Sequence, residues 1–230
     1  MEAELNVLKI ILAGSTGLIG DLLIQRLSGH QLVLIGRRVS TAAPLRAPQL
    51  IGDIADWPRL MAGTHADVAI STLGTTIAQA GSKAAFAAVD RDAVVAFAKA
   101  AYDGGARHFM MVSSVGANPT AGNFYLATKG EAEAGVSAIG FDTVDILRPG
   151  LLRGKRSGVA RPAERLMIRL SRFTNSLTPA VFDHYRAIDA TDVVDAMASL
   201  LRHNVKGVRY AHNREMIGRA QQLRGRAAIG

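Results

Sequence analysis

Tyr125 and Lys129 stand four residues apart, one turn of a helix, so a phenol and an ammonium would share a face. Such a pair can move a proton. A phenol at its ordinary pKa of about 10 is a poor base near neutrality, and an ammonium one turn away favours its ionised form. Upstream, Ser113 and Ser114 close an apolar run, where a hydroxyl can hydrogen-bond a substrate carbonyl oxygen. Ser114 is the favoured one, as the final strand residue turning toward a crevice. The competing reading of Tyr125 is an amphipathic-helix residue whose ring packs while its hydroxyl stays wet.

A second segment carries different chemistry. Gly14-Ser15-Thr16-Gly17-Leu18-Ile19-Gly20 follows the apolar run Val7 to Ala13. A strand ending in a glycine turn that opens a helix presents backbone N–H groups and a positive helix end to a pyrophosphate. In that turn Gly14 permits the bend, Gly17 admits close backbone approach and Gly20 lets the helix pack on the sheet. An NAD site calls for an acid about twenty residues further on, holding the ribose 2′-hydroxyl. No Asp or Glu occurs between Asp21 and Asp53, and Arg37-Arg38 stand where that acid would be. Guanidinium groups suit a 2′-phosphate, so NADP(H) is expected over NAD(H), with one of the two arginines on the phosphate. Asp53, with Ile54 beside it, could meet the adenine edge, although Asp56 before Trp57-Pro58 reads equally well as a helix cap. Thr72, Leu73 and Gly74 follow a strand and should lie at the carboxyl edge of a sheet, where ligands of such folds bind.

The elements that must position these residues are legible in the hydrophobic pattern. Val7 to Ala13, Gln31 to Ile35, Gln49 to Ile51, Asp67 to Ser71, His108 to Val112 and Thr143 to Leu147 read as strands. Helical stretches separate them at Leu18 to Leu27, Trp57 to Ala62, Ala84 to Ala101 and Tyr125 to Ala138. This alternation predicts an α/β fold, a Rossmann-type doubly wound parallel sheet, as a single NAD(P)-binding domain with its core at about residues 7–150. After Pro149 an Arg-rich loop, an amphipathic helix near Pro162 to Phe173 and a helix from about Asp192 to His203, capped by Thr191, suggest a small C-terminal helical cap over 151–217. The tail 218–230 has too little apolar periodicity to be expected ordered.

Composition narrows the chemistry. The 230 residues contain no cysteine, which excludes disulfides, thiolate catalysis and cysteine-ligated metal, and the six histidines form no HxxxH-type ligand pair. No metal is expected. No apolar window reaches the length of about 18 residues that spans a bilayer, and Glu2 and Glu4 replace a basic leader, so a soluble, cytoplasmic protein without membrane contact is expected. Net charge is +8, with Arg148, Arg153, Lys155, Arg156, Arg161, Arg165, Arg169 and Arg172 opposed only by Glu164 in one stretch. Nucleic acid is disfavoured because aromatics do not interleave these charges, and an anionic small-molecule substrate or a subunit contact in a homo-oligomer suits the position better.

Taken together, GxxGxxG, a serine at the fifth strand's end and YxxxK resemble the short-chain dehydrogenase/reductase superfamily. Leu34 to Arg38, Leu73 to Thr76, Val89 to Val95, Ser113 to Glu133 and Arg148 to Leu152 look like its atypical, Tat-interacting-protein-like branch. The resemblance implies NADPH on Gly14, Gly17, Gly20 and Arg37, a catalytic set of Ser114 or Ser113 with Tyr125 and Lys129, and Pro149, Gly150 and Leu151 near the nicotinamide. Asp90 stands where the related sugar-nucleotide epimerases carry asparagine, and the chain is shorter after Pro149, which puts a nucleotide-sugar pocket in doubt. The expected activity is reduction of a carbonyl or enone of a small molecule; the alternative is an NADPH-binding sensor or scaffold with vestigial catalysis.

Overall fold

Both faces of a parallel sheet are covered, so its strands read as unbroken apolar runs, and the first of them shows this directly. In β1 (Lys9–Ala13), Ile10 and Leu12 point into one core and Ile11 and Ala13 into the other, all buried. The computed structural model describes residues 7–154, 186–202 and 205–227. β1 is followed by α1 (Leu18–Arg26), β2 (Gln31–Gly36), β3 (Gln49–Ile51), α2 (Trp57–Leu60), β4 (Val68–Ser71), α3 (Ile77–Ala80) and α4 (Lys83–Ala87). A π-helical turn, Ala88–Asp92, leads into α5 (Ala93–Asp103), then β5 (His108–Val112), α6 (Phe124–Ser137), β6 (Thr143–Arg148) and β7 (Leu152–Arg153). Further along come β8 (Ile188–Asp189), α7 (Ala190–Leu200), β9 (Gly207–His212) and α8 (Asn213–Ala227). Seven strands form one sheet in the order β3-β2-β1-β4-β5-β6-β9, every neighbouring pair parallel.

The order reverses at β1, and the crevice between the carboxyl ends of β1 and β4 is where such sheets bind ligands. One core holds α1 and α7 against the sheet through Leu23, Ile24, Val193 and Met197; the other holds α2, α5 and α6 through Trp57, Phe97, Ala132 and Val136. Among the described residues no helix is long and apolar enough to cross a membrane.

The expected doubly wound sheet is present, with three differences near the C-terminus. Gly207–His212 extends the sheet as a seventh strand, although five of its six residues are at least partly open to solvent. The buried Asp145 carboxylate on β6 explains its recruitment, since it accepts from Arg209 on β9 at 2.8 and 2.9 Å and contacts His108 on β5 at 2.7 Å. The tail expected to be disordered is instead helical to Ala227. Met216, Ala220 and Leu223 supply a buried stripe at helical spacing, and Arg224 pairs with Asp192 and Asp195 of α7. Thr191 does not cap α7: the helix begins at Ala190 with Asp189 in the cap position. The amphipathic helix expected near Pro162 to Phe173 lies outside the described residues.

Candidate functional site

The glycine turn has the geometry its sequence demands. Gly14 has φ +88°, and a Cβ there would lie 2.6 Å from the Thr72 carbonyl carbon and from Thr72 Oγ1. Only glycine fits. Thr72 is therefore committed to the turn, its hydroxyl donating to the Ala13 and Gly14 carbonyls at 3.1 Å. A Cβ at Gly20 would run into the Gly14 carbonyl, so that glycine serves close helix-to-turn packing. Gly17 takes the N-cap of α1 with no side chain capping it, leaving the first-turn N–H groups and the positive helix end for a ligand. Of the turn residues, Ile19 puts its side chain in the core, so at most its N–H can serve a ligand.

These residues wall a cavity of about 700 Å³, within the range of small-molecule and cofactor pockets. It is lined by Gly14, Ser15, Thr16 and Gly17 at the turn, by Gly36, Arg37 and Arg38 at the end of β2, and by Thr72, Leu73, Gly74 and Thr75 after β4. Arg37 and Arg38 are exposed, and among the described residues no carboxylate pairs with either. Asp53 does not line this cavity; it is exposed at the start of a 3-10 turn, and Ile54 and Trp57 form the wall there. Sequence reading passed over Trp57 as a site residue, and over Gln79 and Val89, which also reach the cavity. Asp56 makes no capping bond and pairs instead with Arg59 at 3.2 Å.

Behind Gly74 lies α6, the helix that carries Tyr125 and Lys129. Asn123 caps α6, its side chain accepting from the Leu126 N–H at 3.2 Å, and this sets Tyr125 and Lys129 on one face. Lys129 is buried, with its Nζ 2.7 Å from Asp90 Oδ1, while Asp90 Oδ2 accepts from the Thr75 N–H at 2.9 Å. A Cβ on Gly74 would be 3.7 Å from both Lys129 Nζ and Asp90 Oδ1. Burial pushes the Asp90 carboxyl above the usual carboxylate range, against the opposing pull of Lys129 and the Thr75 N–H. The Lys129 ammonium thus has a carboxylate partner that YxxxK spacing does not disclose. Asp90 sits in the π-helical turn, a local widening that often occurs at functional sites. The Tyr125 ring packs against Phe86 with centroids 5.5 Å apart.

The two serines divide. Ser113 is buried and donates to Glu133 Oε1 at 2.5 Å, and Glu133 also accepts from Arg148. Ser113 is therefore not open to a ligand through its hydroxyl. Ser114 is half-buried, its hydroxyl 3.3 Å from the Val115 carbonyl. Pro149, Gly150 and Leu151 do not line the cavity described above; they are held by backbone bonds, Val115 N–H to the Pro149 carbonyl at 3.0 Å and Ile188 N–H to the Leu151 carbonyl at 2.9 Å, and by Gly150 N–H to Asn213 Oδ1 at 3.0 Å. Of the basic stretch, Arg148 is spent on Glu133 and Arg153 lies 3.2 Å from Asp189; 155–172 falls outside the described residues. Among the described residues no cluster of His, Asp or Glu could hold a metal ion.

A cradle that only glycine fits, an uncapped helix start and two arginines that no carboxylate among the described residues pairs with, all on one cavity, suit a dinucleotide. Fold and site together define a Rossmann-type nucleotide-binding domain. A family model described as NAD(P)H-binding matches residues 14–204. The chain is 34% identical over 200 residues to the protein HTATIP2 of Rattus norvegicus, covering 84% of this chain and 80% of that protein. It is 36% identical over 167 residues to the protein fmp52, mitochondrial, of Emericella nidulans, covering 67% and 71% respectively. Among solved structures, MoeE5 in complex with UDP-glucose and NAD superposes with a TM-score of 0.66 at 17% identity, covering 94% of this chain and 82% of that one. The UDP-glucuronic acid 4-epimerase from Bacillus cereus in complex with NAD gives 0.66 at 16% identity, covering 90% and 78%. At such identities the structural likeness concerns the fold alone. The chain belongs to the NAD(P)H-binding family, in the Tat-interacting-protein-like branch of the atypical short-chain dehydrogenases/reductases.

Proposed function

We propose that this chain is an NADP(H)-preferring oxidoreductase that reduces a carbonyl or enone of a small molecule. The observation that carries the reading is the place of Gly74, which lines the cavity on one side and backs onto Lys129 on the other, so that the YxxxK helix stands behind the wall of the crevice that the glycine turn builds. Bound there, the reduced nicotinamide supplies a hydride to the substrate carbon. Ser114 hydrogen-bonds the carbonyl oxygen, Tyr125 transfers its phenolic proton to that oxygen, and Lys129 donates to the ribose hydroxyls. Arg37 and Arg38 favour the 2′-phosphate because a charge-assisted bond to it displaces no existing partner. The cytoplasm remains our reading of its location, although the fungal relatives' names say mitochondrial. The Asp90 partner of Lys129 favours a second reading, an NADPH-binding sensor in which that lysine is structural.

Fluorescence titration with NADPH and NADH tests the cofactor, and a panel of carbonyl compounds tests the reaction. Losing one or two charge-assisted bonds of about 1.5–3 kcal/mol each, the Arg37→Ala, Arg38→Ala double variant should bind NADPH at least about tenfold more weakly, with NADH nearly unaffected. Equal affinities in the wild type would refute the preference. Tyr125→Phe should bind NADPH but not turn over; NADPH binding without turnover of any compound in the wild type would favour the sensor.

A further inference from the structure

Tyr125, Lys129 and Glu133 recur every fourth residue on α6, one stripe on one face. The third member takes no part in the proposed proton transfer, yet it is among the most buried acids described, 2% exposed. Its carboxylate joins three elements. It accepts from Ser113 just beyond β5, and from both Nε and a terminal nitrogen of Arg148 at the end of β6. The Arg148 guanidinium lies 4.3 Å over the Tyr210 ring of β9, so the network reaches the sheet's edge strand.

Backbone pairing shows what this anchor does. The Ser113 N–H donates to the Leu147 carbonyl at 2.7 Å and the Val115 N–H to the Pro149 carbonyl at 3.0 Å, so the chain beyond β5 runs on beside β6 through Ser114 before it turns at Val115 and Gly116. Successive residues of an extended chain point to opposite sides. Ser113 and Val115 are buried and Ser114 between them is half-open, the burial pattern that alternation requires. With Ser113 fastened to Glu133, Ser114 is turned the other way and keeps its hydroxyl out of the buried network.

We propose that Glu133 is a positioning residue: by holding Ser113 and Arg148 with one carboxylate, it sets Ser114 against the proton-transfer helix that carries Tyr125 and Lys129. This rests on the reductase reading for its catalytic consequence but not for its geometry. Glu133 touches neither cavity nor cofactor turn, so its loss should leave NADPH affinity within about twofold while kcat falls at least about tenfold, since small misplacements of a catalytic group are costly. A single hydroxyl deletion, Ser113→Ala, should reproduce most of the effect. Adding it to Glu133→Gln should cost little more, because the two changes cut the same link.

The absence of native cysteine allows a test free of any substrate. In Ser114→Cys, the single thiol reports on its surroundings by its alkylation rate with iodoacetamide. Combining it with Glu133→Gln should raise that rate at least about tenfold as the segment loosens, and Ser113→Ala, the milder change should the former not fold, should raise it in the same direction. Unchanged alkylation overturns the proposal, as does wild-type kcat in folded Glu133→Gln or a parallel loss of NADPH affinity. Retained turnover in Tyr125→Phe refutes the reductase reading instead, and a carbonyl panel with no turnover does the same, leaving alkylation to decide the role of Glu133.

Discussion

Replacing Gly130 by alanine sets helix propensity against packing, and the structure says which wins. Gly130 lies inside α6, directly after Lys129, where propensity alone would make alanine more stable by about 1 kcal/mol. A Cβ at this position, however, would overlap the Asn118 carbonyl carbon and the Pro119 nitrogen and lie 2.6 Å from Asn118 Cα. These are backbone atoms of the loop between β5 and α6, which cannot swing aside as a side chain can. Helix and loop would have to part by about 1 Å to reach ordinary carbon–carbon distances. Overpacking a tight contact costs about 1–3 kcal/mol or more, so the net result is a loss of stability despite the gain in propensity. Two glycines act as controls. Gly218 in α8 has nothing within 4 Å of its Cβ position, so Gly218→Ala should stabilise by about 0.5–1 kcal/mol. At Gly135 the nearest atom is Val95 Cγ2 at 2.8 Å, a movable side chain, so the effect should fall between the two. Urea unfolding of the three variants gives the comparison, with turnover and NADPH affinity measured on Gly130→Ala. A shift of about 1 Å beside Lys129 should lower kcat by up to about 10²-fold. If Gly130→Ala matches or exceeds the wild type in stability while Gly218→Ala is stabilised, the packing argument is wrong.

Gly14→Ala should lose NADPH binding, because a Cβ at φ +88° is strained and strikes Thr72 on the cavity wall; a titration showing wild-type affinity would refute the assignment of this turn to the cofactor. Asp90 makes stability depend on pH in the sense opposite to most acids. Its carboxyl is held above the usual range, chiefly by burial, so the folded state binds its proton more tightly than the unfolded chain. That contribution is complete below the ordinary carboxylate pKa and is lost as pH rises through the raised value. Asp90→Asn removes this titration, so the variant should gain on the wild type as pH rises above the ordinary carboxylate range; urea midpoints showing a constant or shrinking difference would contradict the burial argument.

The sheet up to β6, the glycine turn and the YxxxK helix were legible in the amino-acid sequence because each depends on local pattern. Buried parallel strands must be continuously apolar, a phosphate-accepting turn must have glycine where a Cβ would collide, and a helix places every fourth residue on one face. β9 was not legible: Gly207–His212 is half-exposed, and it joins the sheet through Arg209 reaching a carboxylate 64 residues away on β6. The last helix was missed for the related reason that its few apolar residues become a core only against α7. At the site, the sequence set the two serines side by side and favoured Ser114 only by its place at the end of the apolar run. The fold separates them, because Glu133 arrives from α6 and Arg148 from β6 to occupy Ser113. In the same way Asp90 meets Lys129 only because a π-helical turn and α6 pack together behind Gly74. Local sequence thus determined which groups are present and which face of their own helix or strand they take. The partners that bind, neutralise or free each group come from distant parts of the chain, and only the packed tertiary structure brings them within hydrogen-bonding distance.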